Sequence, residues 1–157
     1  MNTVEVNIIE SIRTFIKECP FLKDYLGATR PKVNVDYLGD TETVYSIERV
    51  PCNPIIKKYI DGSKMKQEEF IFCSRESYGE NVFENLENIN FYENFVSWLE
   101  EKNRTGDLPI LDGNREVEKI EILTPGYAFA TDIDKARYQI QLRLIYIERK
   151  YREWQNL

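Results

Sequence analysis

The sequence predicts an α+β fold, in which a mostly antiparallel β-sheet carries two main helices packed on one of its faces. Two observations lead to this class. Apolar residues recur at helical spacing in two segments of the 157-residue chain, and they alternate with polar residues in several others. The order is helix, strands, helix and then a β-hairpin, which is typical of α+β domains. We expect a single domain over residues 1–149 and a charged C-terminal tail over residues 150–157.

The first helix is predicted from Val4 to Cys19. Its apolar residues, among them Ile12 and Ile16, form one stripe, and Pro20 ends the helix. The segments KVNVDYLG and ETVYSIERV follow, and each alternates apolar and polar residues as a strand does. In the second of these, Tyr45 and Ile47 share one face.

The middle of the chain predicts an edge strand and a central strand. Ile55 and Ile56 favour a short strand before the turn at Asp61, with prolines on its N-terminal side that suit an edge or a bend. The segment KMKQEEFIFCSRESYG then has Phe70 and Phe72 on one face and further apolar residues on the other. A strand that is apolar on both faces enters the middle of a sheet.

The second helix is predicted from about Glu80 to Lys102. Ser77 and Glu80 have the spacing of a capping box, and Gly106 lies just past the predicted end. A wide apolar face is expected to pack on the core, and it comprises Val82, Phe83, Leu86, Ile89, Phe95, Val96, Trp98 and Leu99.

The last strand, ARYQIQLRLIYIER, is the most regular segment of the chain. Every second residue from Tyr138 to Tyr146 is apolar, so this side of the strand is expected to face the core. The other side carries Arg137, Gln139, Gln141 and Arg143. Before this strand, EVEKIEILT predicts another strand, GYAFATD extends it after a kink at Pro125-Gly126, and DIDKA forms the turn.

The composition excludes several kinds of chemistry. The chain has no histidine, which removes Ser-His and Cys-His nucleophile pairs and His-ligated metals. Cys19, Cys52 and Cys73 lack metal-site spacing and are expected to be reduced thiols. The DIDK segment lacks the glycine and distal glutamate of a calcium loop. We therefore predict no catalytic residue, no cofactor and no metal site.

The expected location is the cytosol. The N-terminal residues MNTVEVNIIE lack the basic start of a secretory signal, and no segment is apolar enough for a membrane span. The net charge of −6 argues against general nucleic-acid binding.

The charges are unevenly distributed along the chain. Six acids and no base lie between Glu80 and Glu101, whereas six bases and two acids lie between Lys135 and Glu153. These blocks are either two solvated faces or the two halves of a head-to-tail contact between copies. For the contact, the predicted subunit-interface residues are Arg137, Gln139, Gln141, Arg143, Glu84, Glu87 and Glu93. Replacing Arg137 and Arg143 by Glu is then expected to disturb assembly more than folding.

Several segments together resemble a family of small proteins of tailed phages and prophages of Gram-positive bacteria. The family comprises tail terminator proteins, also called minor capsid or tail completion proteins. The similarity covers about residues 5 to 148, and the segments that carry it are NVDYLG, VPCNPIIKKYIDGS, FIFCSRESYG, NLENINFYENFVSWLE and TPGYAF with DKARYQIQLRLIY.

The resemblance implies a non-enzymatic α+β subunit that assembles as a hexameric ring. Such a ring sits on the last ring of tail-tube protein, stops polymerisation and offers a joining surface for the head. It implies contacts with tube protein, and with sheath or head–tail connector proteins. It also implies a location in the host cytoplasm during assembly and then in the virion or tail-like particle.

Three alternatives remain open from the sequence. The first is a head-side minor capsid or stopper protein of the neck. The second is a small cytosolic enzyme that uses carboxylate, Lys or Tyr chemistry in a closed pocket. The third is a DNA-contacting protein with a basic stripe of Arg137, Arg143, Arg149 and Arg152.

Overall fold

The computed structural model describes residues 7–22, 32–39 and 44–150. It shows an α+β fold of two helices and a seven-stranded, mixed and mostly antiparallel sheet. In chain order the elements are α1 (Ile8–Ile16), β1 (Val33–Val35), β2 (Val44–Val50), β3 (Ile55–Lys58), β4 (Lys64–Ser77), α2 (Val82–Thr105), β5 (Arg115–Ile122), β6 (Tyr127–Thr131) and β7 (Lys135–Glu148). Neither helix in these ranges is long and apolar enough to cross a membrane.

The sheet is built around the two longest strands, β4 and β7. They pair antiparallel along their whole lengths, from Lys64 opposite Glu148 to Ser77 opposite Lys135. Both β2 and β3 pair with β4, while β5 and β6 pair with successive parts of β7. Strand β1 joins β2 in the sheet's parallel pair. The predicted central position of β4 is confirmed, and β6 continues the edge that β5 begins.

The core lies between the helices and one face of the sheet, which we call the helix face. Tyr45, Phe72 and Ile140 are fully buried there, and the rings of Phe72 and Phe95 of α2 stack at 4.7 Å. Phe15 of α1 packs on Trp98 of α2 at 4.9 Å between ring centroids. The predicted core side of β7, from Tyr138 to Tyr146, is confirmed because all five of its alternating residues belong to this core.

The boundaries of the helices differ from the prediction. Helix α1 is shorter than expected, and Val4 lies outside the described residues. Helix α2 begins at Val82 because Asn81, not Ser77, is its N-cap: the Asn81 Oδ1 accepts the Phe83 N–H at 2.9 Å. The capping box was wrong for a physical reason, since Ser77 is still paired with Lys135 in the sheet. Gly106 ends α2 in the left-handed conformation at φ 75°, as predicted.

Two expectations about apolar residues fail. The first half of α2 does not bury Val82, Phe83, Leu86 or Ile89, which are 44% to 78% exposed. The segment after Lys32 is a strand only as far as Val35, and Tyr37 beyond it is 66% exposed. Residues 151–157, most of the predicted tail, lie outside the described chain.

Candidate subunit interface

The face of the sheet opposite the helices carries a connected set of polar side chains, and we call it the network face. Arg137 on β7 reaches across β4 to Glu48 on β2. Its two terminal nitrogens donate to the two Glu48 carboxylate oxygens at 2.7 and 2.9 Å. These side chains are only 16% and 25% exposed, so the pair is partly desolvated. The hydrogen bonds from Arg137 hold the pKa of the Glu48 carboxyl below its ordinary value.

Cys73 lies beneath this ion pair. Its side chain is fully buried, and its sulfur contacts the Ser46 carbonyl oxygen at 3.4 Å and a Glu48 oxygen at 3.7 Å. Burial raises the pKa of the Cys73 thiol to about 12. The thiol is therefore protonated at neutral pH, and a protonated buried thiol is a poor nucleophile.

The two glutamines of the predicted interface share one partner. Tyr127 on β6 accepts a hydrogen bond from Gln139 at 2.8 Å, and the Gln141 amide lies 3.5 Å from the same hydroxyl. Gln139 also accepts from Arg137 at 3.1 Å, which links it to the ion pair. The Gln139 residue is only 3% exposed.

Arg143 forms the other end of the network. It donates to Glu121 of β5 at 2.6 Å and to Gln67 of β4 at 3.0 Å. Lys119 binds the same carboxylate at 2.8 Å. Hydrogen bonds from Lys119 and then from Arg143 lower the pKa of the Glu121 carboxyl.

The basic side chains of the C-terminal block are thus largely neutralised within the chain. Arg149 binds Glu116 at 3.1 Å, in addition to the pairs of Arg137 and Arg143. Of the arginines proposed for a DNA-contacting stripe, only Arg152 lies outside the described residues. Replacing Arg137 by Glu would put two carboxylates above buried Cys73, so we expect an effect on folding as well as on assembly.

The acidic half of the predicted interface lies on the helix side of the molecule. Glu87 and Glu93 are exposed on α2 and Glu84 is half-buried. Within the described parts of the chain, none of the three forms an ion pair, whereas Glu101 further along the helix pairs with Arg104. The basic and acidic interface residues therefore lie on opposite sides of one molecule, and only a head-to-tail arrangement can bring them together.

An apolar stripe accompanies these acids. Val82, Leu86 and Ile89 are spaced four and three residues apart, which places them on one side of α2. That side points away from the core, because the buried residues Phe91, Tyr92, Phe95 and Leu99 define the opposite side. We define the α2 surface as the exposed residues Val82, Phe83, Leu86, Ile89, Glu87 and Glu93 together with half-buried Glu84.

Sequence reasoning missed the partners of the polar row and the exposure of this stripe. Glu48 and Arg137 are 89 residues apart and meet only through the register of three strands. The α2 apolar residues have helical spacing, which does not distinguish a core from a surface that meets another protein.

The DIDK segment and the buried Tyr92 hydroxyl both take structural roles. The DIDK segment is the β6–β7 turn, in which the Asp132 N–H donates to the Lys135 carbonyl at 2.8 Å. Tyr92 shares a 2.7 Å hydrogen bond with Ser74, and complete burial raises the pKa of the Tyr92 hydroxyl well above its ordinary value. The described residues include no group of three His, Cys, Asp or Glu side chains placed to hold a metal ion.

A cavity of about 300 Å³ lies between α1 and the loop that follows α2. Phe15 and Leu108 line it together with the acids Glu18 and Asp107, and Asp107 pairs with Lys102 at 2.6 Å. A second cavity, of about 360 Å³, is lined by Glu10, Asp36 and Arg49 among others. Compared with protein-family models and with curated proteins, the chain has no match.

Proposed function

We propose that the chain is a non-enzymatic assembly protein, a tail terminator of a phage or phage-tail-like particle. In this role its copies form a ring on the head-proximal end of the tail tube, end tube polymerisation and offer a surface for joining the head. The resemblance over about residues 5 to 148 and the α+β fold support the proposal. A hexameric ring is what the resemblance implies.

The observation that carries the proposal is the α2 surface. Four large apolar side chains in the first half of α2 are exposed, the most exposed being Phe83 at 78%. Exposed apolar groups cluster where a protein meets a partner, and acids around them favour a basic partner and disfavour an acidic one. Such a surface fits repeated contacts between subunits.

The network face suits a second kind of contact. Arg137 and Arg143 are already bound to carboxylates of the same chain, so a neighbouring protein meets polar groups that are held in place. Hydrogen-bonded pairs held in this way need little reordering on binding. We propose this face for the tube protein or for a sheath or connector protein. DNA passing through the ring would bind this face weakly because Arg137 and Arg143 already pair with carboxylates of the chain.

The test is to co-express the chain with a tail-tube protein and to measure particle mass by size-exclusion chromatography with light scattering. The proposal predicts a homo-oligomer that co-purifies with tube protein. A chain that stays monomeric at every concentration and never associates with tube protein would refute the proposal. Co-purification with portal or connector protein instead would favour the head-side stopper alternative.

A further inference from the structure

The β3–β4 hairpin carries a basic and apolar surface, which we call the hairpin end and define as residues 55–64. It exposes Ile56 at 41% and Ile60 at 108%. Its charged residues are Lys57, Lys58, Lys64 and Asp61, which gives a net charge of +2. Asp61 holds the turn by accepting the Ser63 N–H at 2.8 Å.

The three lysines of the hairpin end form no ion pair with any other residue that the structure describes. Lys57 lies 5.3 Å from the centre of the Tyr59 ring, and it is exposed like Lys58. By contrast, Lys66 on the adjoining part of β4 binds Glu148 at 3.1 Å. The hairpin end therefore offers positive charge beside exposed apolar side chains.

The α2 surface is its counterpart in both charge and polarity. Residues 80–93 contain Glu80, Glu84, Glu87 and Glu93 and no base, which gives a net charge of −4. The exposed Val82, Phe83, Leu86 and Ile89 lie among these acids. Both surfaces therefore expose apolar side chains, and the hairpin end is positively charged where the α2 surface is negatively charged.

The two surfaces cannot meet within one molecule. The first half of α2 lies at the Ser77 end of β4, where Asn88 donates to the Ser77 carbonyl at 2.8 Å. The hairpin end lies at the Lys64 end of the same strand. Fourteen residues of extended strand separate them, which corresponds to roughly 43 Å. Only another copy can bring a hairpin end to an α2 surface.

We propose that the hairpin end of one copy binds the α2 surface of the next. The contact joins two different surfaces, so each copy has one free surface of each kind, and repetition closes a ring or extends a filament. Exposed apolar residues supply most of the attraction, and the charges set the orientation. The proposal rests on the self-association in the proposed function. In this contact the basic partner of the acidic helix is the hairpin end. Arg137 and Arg143 are not that partner, because they bind carboxylates in their own chain.

Two charge-reversed variants test this contact. Lys57→Glu with Lys58→Glu makes the hairpin end acidic. The triple change Glu84→Lys, Glu87→Lys and Glu93→Lys makes the α2 surface basic. Each variant alone sets like charges against each other, so we expect self-association to weaken by about tenfold or more. Mixed in equal amounts, the variants again present opposite charges at every contact, and we expect association to return.

The readout is particle mass across a concentration series, by size-exclusion chromatography with light scattering. Circular dichroism and urea unfolding check that each variant folds. The matched control is Glu18→Lys with Glu100→Lys and Glu118→Lys, which changes the net charge as much as the α2 variant but at exposed positions outside both surfaces. We expect this control to associate as the unmodified chain does. Phe83→Ser and Ile60→Ser should each weaken association without changing net charge.

Four outcomes would overturn the proposal. They are an unmodified chain that stays monomeric up to about millimolar concentration, variants that associate normally, a mixture that fails to associate, and association lost only when residues 151–157 are removed. These experiments distinguish a failure of the proposed contact from a failure of the proposed tail role. A chain that assembles through this contact but leaves tube length unchanged refutes only the tail role. One that caps tubes while both variants still associate refutes only the contact.

Discussion

Replacing Arg137 by Met should destabilise the monomer because it leaves the Glu48 carboxylate without its cation. Breaking a fully buried ion pair costs about 3–5 kcal/mol, and an exposed pair contributes about 0–1 kcal/mol. The Arg137 and Glu48 side chains are 16% and 25% exposed and joined by two hydrogen bonds, so the pair lies between these limits. We expect a loss of about 2–3 kcal/mol in the free energy of unfolding.

The assay is urea unfolding followed by circular dichroism, at a concentration where the chain is monomeric. Arg104→Met is the matched control, since Arg104 pairs with Glu101 but both side chains are more than half exposed. We expect this control to change the free energy of unfolding by less than about 0.5 kcal/mol. In thermal unfolding, the Arg137 variant should melt about 5–10 °C lower.

A double-mutant cycle with Glu48→Gln isolates the pair itself. We expect a coupling energy of about 1–2 kcal/mol, because the second substitution removes the carboxylate that the first leaves uncompensated. If Arg137→Met costs no more than Arg104→Met, then solvent screens the network face and the reasoning is wrong. In that case Arg137→Glu would leave folding unaffected, and any effect of this substitution could be assigned to assembly.

Three further predictions concern single groups. The pKa of the Glu48 carboxyl is lowered in the folded state, so its stabilising effect is present above the ordinary value of 4.5 and is lost as pH falls through the folded pKa. Urea midpoints measured from pH 7 to 3 should therefore drop less for Glu48→Gln than for the unmodified chain. Equal drops for the two proteins would contradict this. In native protein at pH 8, an alkylating reagent should modify half-exposed Cys52 before Cys73, because Cys73 is buried and its pKa is about 12. Peptide mass spectrometry measures the order of labelling. Early labelling of Cys73 would contradict its burial. Asn81→Ala should cost about 1 kcal/mol in unfolding free energy through loss of the helix cap, whereas a larger loss for Ser77→Ala would restore the capping-box prediction.

The sequence predicts the framework of the fold because periodicity is a local property. Alternation in β7 identifies its core side correctly, and Gly106 marks the end of α2 through its own conformational freedom. The start of α2 was placed too early since the Ser77 spacing is a local signal, whereas its pairing with Lys135 depends on a distant strand.

The candidate site depends on information that periodicity does not contain. The partners of Arg137 and Arg143 are set by strand register, so the sequence shows an unpaired polar row where the chain has closed ion pairs. Likewise, the apolar residues of α2 occupy two sides of the helix, and the core covers only one of them. The side chains of Val82 and Leu86 therefore look like core in the sequence and lie exposed in the monomer.

Electron microscopy of tail tubes assembled with and without the chain shows whether the chain caps tube ends. The chain would carry a small label, and tube protein would be polymerised at increasing molar ratios of chain to tube protein. If the chain caps the tubes, label appears at one end of each tube and the tubes become shorter as the ratio rises. Unlabelled ends with unchanged tube lengths, or label scattered along the tubes, would contradict it.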